Sequence, residues 1–367
     1  MQRRNFLQNL AIGSLASDLV VSGVWASETA QGNAGNPLSL VTHPISKRKL
    51  PALATGVIVP VFTPAKEGGR LDSKGLENYL NWLVEDPHTH GLFVRSGVGC
   101  MYSYTPQEVR EAIDITVETV AGRKHVLFGT FGIYDGDTDH RPEPERYIAE
   151  SIEFSQYAEE KGTTGIVLLS PYMLLPKEGE TTQDVVASYI KEVAGSVRLP
   201  VMVYNPGSID PGYYITSHLV PRLLEIPNLV AAKISTNDMA WLARVEAALA
   251  DTTFALIPGS EQVFYHMLLT GSLGIIGAGC NVYPSILDAV YTRFLEEDYT
   301  GARQAQMDAN DAFVYIDWVP QSIGGLAYLR VKGLDVQPWD KSGEPLLSDA
   351  KIATAIEGLD RLISKYG

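Results

Sequence analysis

The sequence predicts an α/β protein, a (β/α)8 TIM barrel with a C-terminal helical extension. From Thr55 onward, short apolar runs typical of buried strands alternate about eight times with amphipathic helical runs. Such an alternation indicates parallel βαβ units that close into a barrel. In addition, no predicted strand is followed by Gly-x-Gly-x-x-Gly, the glycine pattern of an open dinucleotide-binding sheet. The closed barrel is therefore favoured over the open sheet.

The predicted elements follow one another regularly along the body of the chain. Several helices begin after Ser, Thr, Asp or Asn, the residues that cap helix N-termini. The strands are predicted at 56–61, 91–94, 125–130, 165–169, 201–204, 229–233, 254–258 and 274–276. The helices are predicted at 73–85, 105–121, 143–161, 182–196, 217–225, 239–250 and 261–270. We therefore place the barrel at residues 51–282 and the helical extension at 283–367.

The first residues have the pattern of an export signal. Arg3 and Arg4 precede an apolar stretch that ends in small residues at Ala26, as in twin-arginine signals. The sequence thus predicts a signal peptide over 1–26, a polar linker over 27–50 and a periplasmic or otherwise exported protein. An amphipathic N-terminal helix of a cytosolic protein is the alternative. Asp18 argues against a permanent membrane span, because a charge inside the apolar stretch is costly to insert.

Composition excludes several classes of partner. The formal net charge is -14 and the pI is about 5.0, whereas nucleic acids and anionic membranes require a basic surface. The two cysteines, Cys100 and Cys280, are too few for a disulfide framework or a thiolate metal site. They are expected to be small buried residues, with a single bridge as the open alternative. The histidines show no spacing typical of metal ligands, so no metal is expected.

Residues that follow the strands are the candidates for chemistry, because active sites of this fold lie at the C-terminal ends of the strands. Lys233 ends the sixth predicted strand in an apolar setting, and Tyr204 ends the fifth. A buried ammonium is costly, so Lys233 must reach water, be paired or have a lowered pKa. A neutral lysine amine attacks ketones and forms an iminium. Tyr204, one strand away at about 4.8 Å, would be its proton shuttle.

Gly97 and Val98 follow the second predicted strand in a glycine-rich turn. Backbone N–H groups in such turns suit a carboxylate. A ketone next to a carboxylate is a 2-oxo acid. The residues therefore predict capture of a small 2-oxo acid by Lys233, with no bound cofactor. Arg95, just before the turn, either pairs with a substrate carboxylate or forms a structural ion pair.

Several segments carry a resemblance to a known family: Val203-Tyr204-Asn205-Pro206, Ala232-Lys233, Gly271-Ser272-Leu273-Gly274-Ile275-Ile276 and Asn281-Val282-Tyr283-Pro284. With these in order, the chain from about Leu53 to about Tyr366 resembles the dihydrodipicolinate synthase / N-acetylneuraminate lyase family of class I, pyruvate-dependent aldolases. The resemblance implies that Lys233 is the Schiff-base lysine and Tyr204 the catalytic tyrosine. It also implies that Ile276 lines the pyruvate pocket and that the protein is a homo-oligomer, a dimer or a tetramer. Glu261 matches an acidic position that touches the substrate tail, although helix capping would explain it equally.

Three departures from the family pattern affect the predicted function. Ser96-Gly97-Val98-Gly99-Cys100 stands where the family has Gly-Thr-Thr-Gly-Glu, so the relay threonine is absent. Pro171-Tyr172-Met173 replaces Pro-Tyr-Tyr, and Gly207-Ser208-Ile209-Asp210-Pro211 lacks the arginine of dihydrodipicolinate synthases. Tyr102, Tyr104, Tyr213 and Tyr214 either replace the lost hydroxyls or serve packing.

We therefore expect a lyase that cleaves, adds to or dehydrates a sugar-acid-like 2-oxo acid, and not a lysine-biosynthetic dihydrodipicolinate synthase. The alternative from a different functional class is an exported barrel that binds a 2-oxo acid or sugar acid without converting it. The lost hydroxyls motivate this alternative, and the retention of Lys233 and Tyr204 argues against it.

Overall fold

Eight parallel strands form the core of the structure, a computed structural model that describes residues 34–316 and 321–367. The strands are β1 Gly56–Pro60, β2 Gly91–Val94, β3 His125–Gly129, β4 Gly165–Leu169, β5 Val201–Asn205, β6 Leu229–Ile234, β7 Ala255–Pro258 and β8 Gly274–Ile275. They pair in the order β7-β6-β5-β4-β3-β2-β1-β8. The Ile276 N–H donates to the Pro258 carbonyl at 3.2 Å and joins β7 to β8. The predicted TIM barrel is confirmed.

Helices follow the strands as expected. They are α1 Ser73–Glu85, α2 Pro106–Val120, α3 Pro144–Lys161, α4 Thr182–Ala194, α5 Val220–Leu223, α6 Met239–Ala248, α7 Phe264–Thr270 and α8 Pro284–Leu295. The helix predicted at 217–225 is only the short α5, because Pro221 near its start disfavours helical backbone before it. The helix predicted at 261–270 begins instead with a 3-10 turn, Glu261–Val263.

The strands are largely apolar because both of their faces are covered. In β4, all of the residues from Ile166 to Leu169 have no exposed surface. Inside the barrel such side chains fill the interior, and outside they contact the helices. A lysine at the end of such a strand is therefore surrounded by packed side chains rather than by water.

The N-terminal part of the described chain differs from its prediction. The predicted signal peptide, 1–26, and the linker residues up to 33 lie outside the described residues. The rest of the linker predicted at 27–50 contains a hairpin, in which Leu40–Thr42 pairs antiparallel with Lys49–Pro51. His43 and Leu50 are fully buried, and the His43 ring Nε2 contacts the Leu268 carbonyl at 2.7 Å. Burial of these two side chains explains why a polar, aperiodic segment is ordered.

The helical extension adds α9 Tyr299–Phe313, α10 Gln321–Val331 and α11 Asp349–Ile363. A short strand, Trp339–Asp340, pairs antiparallel with Pro64–Ala65 just after β1. The predicted boundary at 283 assigns α8 to the extension, whereas α8 packs against β1 as the eighth helix of the barrel. In the described part of the chain, no helix has both the length and the apolar character that crossing a membrane requires.

A buried ion pair joins the hairpin to the barrel. The Arg48 guanidinium contacts the Glu246 carboxylate and also donates to the Phe254 carbonyl at 2.6 Å, next to the start of β7. Both side chains are almost inaccessible to solvent. Burial raises the pKa of Glu246 to about 7, against the opposing effect of Arg48.

Removal of Arg48 is expected to be strongly destabilising and pH-dependent. Arg48→Ala leaves a buried carboxylate unpaired, which costs about 3–5 kcal/mol of unfolding free energy when Glu246 is ionised. Because the folded-state pKa of Glu246 lies above its unfolded value, the carboxyl stays protonated to a higher pH in the folded state than in the unfolded state. The loss is therefore smallest at about pH 5 and grows as pH rises through about 7.

Urea unfolding of the wild type, Arg48→Ala and Lys49→Ala at several pH values measures this effect. Lys49 is an exposed residue of the same hairpin, so its replacement should change stability by less than about 0.5 kcal/mol. An Arg48→Ala loss as small as that of Lys49→Ala would contradict a stabilising role for the ion pair.

Candidate active site

Strand pairing places Lys233 and Tyr204 side by side. The two residues are direct partners in the register of β6 and β5. The Lys233 Nζ lies 4.3 Å from the centroid of the Tyr204 ring and 5.6 Å from that of Phe93 on β2. Only 4% of Lys233 is exposed. The amine thus lies at the C-terminal end of the barrel among aromatic faces instead of water.

Burial changes the protonation of Lys233. It lowers the pKa of the amine to about 8, and nearby Cys280 and Glu261 act weakly in the opposite direction. The neutral, nucleophilic form of Lys233 therefore becomes available well below the pKa of an ordinary lysine.

The hydroxyl of Tyr204 lies between two backbone segments at the end of the barrel. On one side, a methyl group added at Gly97 would lie 2.9 Å from this hydroxyl, so the absence of a side chain at Gly97 allows the close approach. On the other side, Ser235 interacts with the hydroxyl as a hydrogen-bond partner. Burial raises the pKa of Tyr204, and Ser235 partly offsets this rise.

Two backbone hydrogen bonds close the turn from Ser96 to Cys100. The Gly99 N–H donates to the Ser96 carbonyl at 3.0 Å and the Cys100 N–H to the Gly97 carbonyl at 3.2 Å. Within the described chain, the N–H groups of Gly97 and Val98 donate to no protein acceptor. Both are therefore available to a ligand.

A cavity of about 560 Å³ opens above Lys233. It brings together five of the six residues predicted for the site: Val98, Tyr204, Lys233, Glu261 and Ile276. The sixth, Gly97, borders it through its contact with Tyr204. A larger cavity of about 860 Å³ lies between α1, α8 and α10, but neither Lys233 nor Tyr204 lines it. The cavity that contains the nucleophile is therefore the candidate active site.

Glu261 lines this cavity with its side chain drawn towards the backbone. The residue is only 2% exposed, and one carboxylate oxygen accepts a hydrogen bond from the Gly279 N–H. A methyl group at Gly277 would also collide with the carboxylate. Glu261 thus stabilises the turn after β8, where Ile276 also lies.

Several residues that line the cavity or lie beside Lys233 were not predicted from the sequence. Ser235 follows Lys233 by two positions, and strand alternation could have placed the two side chains on one face. Phe93 could have been found as the aromatic residue of β2. Phe313 and Gln321 come from α9 and α10, and nothing in their sequence context indicates a site.

Arg95 and the two cysteines are in surroundings that indicate structural rather than catalytic roles. The Arg95 guanidinium is buried, stacks on the Phe131 ring and donates to the Phe131 carbonyl at 2.5 Å, so it binds backbone rather than a carboxylate. Cys100 and Cys280 are free thiols. Burial raises both of their pKa values, that of Cys100 to about 12. Among the described residues, no cluster of His, Cys, Asp and Glu could hold a metal ion.

Comparisons with known proteins agree on one family. The sequence model of the Dihydrodipicolinate synthetase family matches residues 53–341. The chain is 28% identical over 315 residues to the 4-hydroxy-tetrahydrodipicolinate synthase of Thermus thermophilus, covering 85% of this chain and 96% of the relative. The enzyme of the same name from Clostridium novyi is 27% identical over 286 residues, covering 77% and 88%.

Solved structures show the same fold. A prophage protein of the dihydrodipicolinic acid synthase family from E. coli K12, in complex with pyruvate, has a TM-score of 0.72 at 24% identity and covers 86% of this chain and 100% of its own. N-acetylneuraminate lyase from Mycoplasma synoviae has a TM-score of 0.70 at 19% identity, covering 84% and 98%.

The buried position of Lys233 leads to a prediction that is independent of any substrate. Trace acetylation across about pH 6 to 11, with mass spectrometry of the peptide that contains Lys233, should give a midpoint near 8. Exposed lysines of the same protein are the internal reference. A reactivity of Lys233 that is still rising at about pH 10 would show a solvated ammonium instead.

Proposed function

Because the chain belongs to the dihydrodipicolinate synthetase family, we propose that Lys233 forms a Schiff base with a 2-oxo acid. Members of this family are lyases of the class I aldolase type, and the chain is a lyase of this class. The observation that carries the proposal is the buried Lys233 amine, with a pKa lowered to about 8, beside Tyr204 at the C-terminal end of the barrel.

The proposed chemistry begins with attack of the neutral Lys233 amine on the carbonyl carbon of the 2-oxo acid. The carbinolamine loses water and becomes an iminium, which withdraws electrons from the adjacent carbon. In cleavage, removal of the proton from the C4 hydroxyl breaks the C3–C4 bond, so the tail leaves as an aldehyde and the bonding electrons form an enamine. Loss of a C3 proton gives an enamine without cleavage. Its reprotonation and hydrolysis release the product and restore Lys233.

Three groups of the site support these steps. Tyr204 is near enough to Lys233 to move the protons of the carbinolamine and enamine. The available Gly97 and Val98 N–H groups suit the substrate carboxylate, which would lie next to the Tyr204 hydroxyl. Ser235, just after β6, offers the Tyr204 hydroxyl a partner, where the family threonine would have come from the turn after β2.

We also propose that the substrate is a sugar-acid-like 2-oxo acid and that the reaction is not 4-hydroxy-tetrahydrodipicolinate synthesis. The two curated relatives compared above carry that name, at 27% and 28% identity. The support for a different activity comes from the sequence: glycine and valine at 97 and 98 in place of two threonines, methionine at 173, and no arginine in 207–211.

Trapping with pyruvate tests the proposed function. Incubation with pyruvate and borohydride should add a stable three-carbon mass to Lys233, because an iminium is reduced irreversibly. The adduct should be absent from Lys233→Ala. Lys191→Ala, which removes an exposed lysine of α4, should retain it. Absence of the adduct from the wild type would refute the Schiff base.

Turnover separates catalysis from binding. We expect pyruvate release from a panel of 2-oxo-3-deoxy sugar acids and no formation of 4-hydroxy-tetrahydrodipicolinate. Tyr204→Phe should still form the adduct but slow release by about a hundredfold or more, since it removes the proton shuttle. Adduct without any turnover would favour the non-catalytic binding barrel. Equal turnover in Tyr204→Phe would remove Tyr204 from the mechanism.

We further propose that the protein is exported through the twin-arginine route, on the evidence of Arg3 and Arg4 before the apolar stretch. In a bacterium that has this route, the full chain should reach the periplasmic fraction, and Arg3→Lys/Arg4→Lys should remain in the cytoplasm. Equal distribution of the two proteins between fractions would argue for the cytosolic alternative.

A further inference from the structure

A second cavity, of about 260 Å³, adjoins the one above Lys233. The two cavities share Pro206 and Ser208, which follow β5. The other walls of the second cavity come from the segments after β2, β3 and β4, so it opens on the same end of the barrel. Tyr172 in its wall is close enough to Tyr204 to influence that hydroxyl electrostatically. A substrate longer than pyruvate can thus extend from one cavity into the other.

Tyrosine side chains form one wall of the second cavity. The hydroxyls of Tyr102 and Tyr172 are 2.6 Å apart and hydrogen-bonded to each other. The ring of Tyr134 packs edge-on against both rings, with centroid distances of 5.7 and 5.8 Å. These contacts fix the positions of the two hydroxyls.

Two opposite charges line the same cavity. Arg141 Nη1 donates to the Tyr172 carbonyl at 2.7 Å, which anchors the guanidinium and leaves it further N–H donors. Asp210 accepts a hydrogen bond from the Gly212 N–H at 2.8 Å through one carboxylate oxygen. The cavity therefore offers charged donors and charged acceptors together.

The charged groups and the tyrosine hydroxyls together determine which kind of substrate tail fits this cavity. An anionic tail would be attracted by Arg141 but opposed by Asp210 and by Asp135, whose charge also acts on Tyr172. A hydroxyl group both donates and accepts hydrogen bonds, so a chain of hydroxyls satisfies Arg141, Asp210 and the tyrosines simultaneously. An apolar tail would offer no partner to the donors and acceptors that these groups do not already use.

We propose that this cavity binds the uncharged, polyhydroxylated tail of the 2-oxo acid and that Arg141 and Asp210 determine specificity for it. The inference rests on the proposed function, because it places the reacting end of the substrate at Lys233. In this arrangement the tail extends towards the ends of β3 to β5 and away from Glu261, whose carboxylate is bound by the turn after β8.

Competition at Lys233 tests the proposal without requiring turnover. Isotope-labelled pyruvate and borohydride give a labelled adduct. Unlabelled pyruvate released by cleavage would itself suppress this adduct, so every protein carries Tyr204→Phe, which slows release, and the comparison uses short incubations. Three six-carbon competitors differ only in the tail: a 2-oxo-3-deoxy sugar acid, 2-oxohexanoate and 2-oxoadipate. In Tyr204→Phe alone, the sugar acid should suppress the labelled adduct at about a tenfold lower concentration than either of the others.

Two variants and a control locate the effect. Arg141→Gln and Asp210→Asn should each reduce the advantage of the sugar acid by about tenfold, while labelling by pyruvate alone stays unchanged. Asp210→Asn keeps an oxygen acceptor for the Gly212 N–H, so the loop should keep its conformation. Arg198→Gln, at an arginine whose side chain is 95% exposed outside both cavities, should have no effect.

Each contrary result has a separate meaning. Equal competition by the sugar acid and 2-oxohexanoate in Tyr204→Phe alone, or an advantage that persists in both variants, would overturn the tail site. Strongest competition by 2-oxoadipate, lost only in Arg141→Gln, would show an anion site instead. No labelled adduct on the wild type would refute the proposed function, and the tail site with it.

Discussion

The removal of the Lys233 amine from water is the constraint on which the rest of the site depends. It results from the packing of a largely apolar barrel, in which β5 and β6 place Tyr204 and Lys233 directly opposite each other. The same packing that makes the charged amine costly makes the neutral amine available, so barrel stability and nucleophilicity have one physical origin. The aromatic faces of Tyr204 and Phe93 tolerate a residual or transient positive charge on the nitrogen, as the proposed iminium would require.

The barrel and the centre of the site could be predicted from the sequence because they depend on local patterns. The spacing of apolar residues and the local composition predict the strands. The barrel fold then determines which strand ends lie together. This was sufficient to bring Lys233, Tyr204, Val98 and Ile276 to one cavity. Strand order placed Tyr204 and Lys233 at the same edge of the sheet, but their direct pairing also depends on a register shift between Val201 and Met202 that the sequence does not show.

The remaining features depend on contacts between segments that are distant along the chain. The hairpin at 40–51 lacks an apolar period and is held by Arg48 and His43 through partners about 200 positions away. The orientation of Glu261 is set by the Gly279 N–H, which a residue type cannot reveal. Arg141 and Asp210, the charged residues of the second cavity, come from two loops that follow different strands. The conformation of a loop leaves no regular spacing of residues in a single sequence from which it could be predicted.

The contribution of Phe313 and Gln321 to the wall around Lys233 has a consequence for how the site forms. The Trp339–Asp340 strand ties the extension to the barrel, and within the extension the Ser322 hydroxyl of α10 donates to the buried Asp340 carboxylate at 2.7 Å. During synthesis, the strands that carry Tyr204 and Lys233 emerge well before this wall. In a nascent barrel, Lys233 would therefore lie at an end of the barrel that is still open to solvent. The cavity is completed only when the last helices dock.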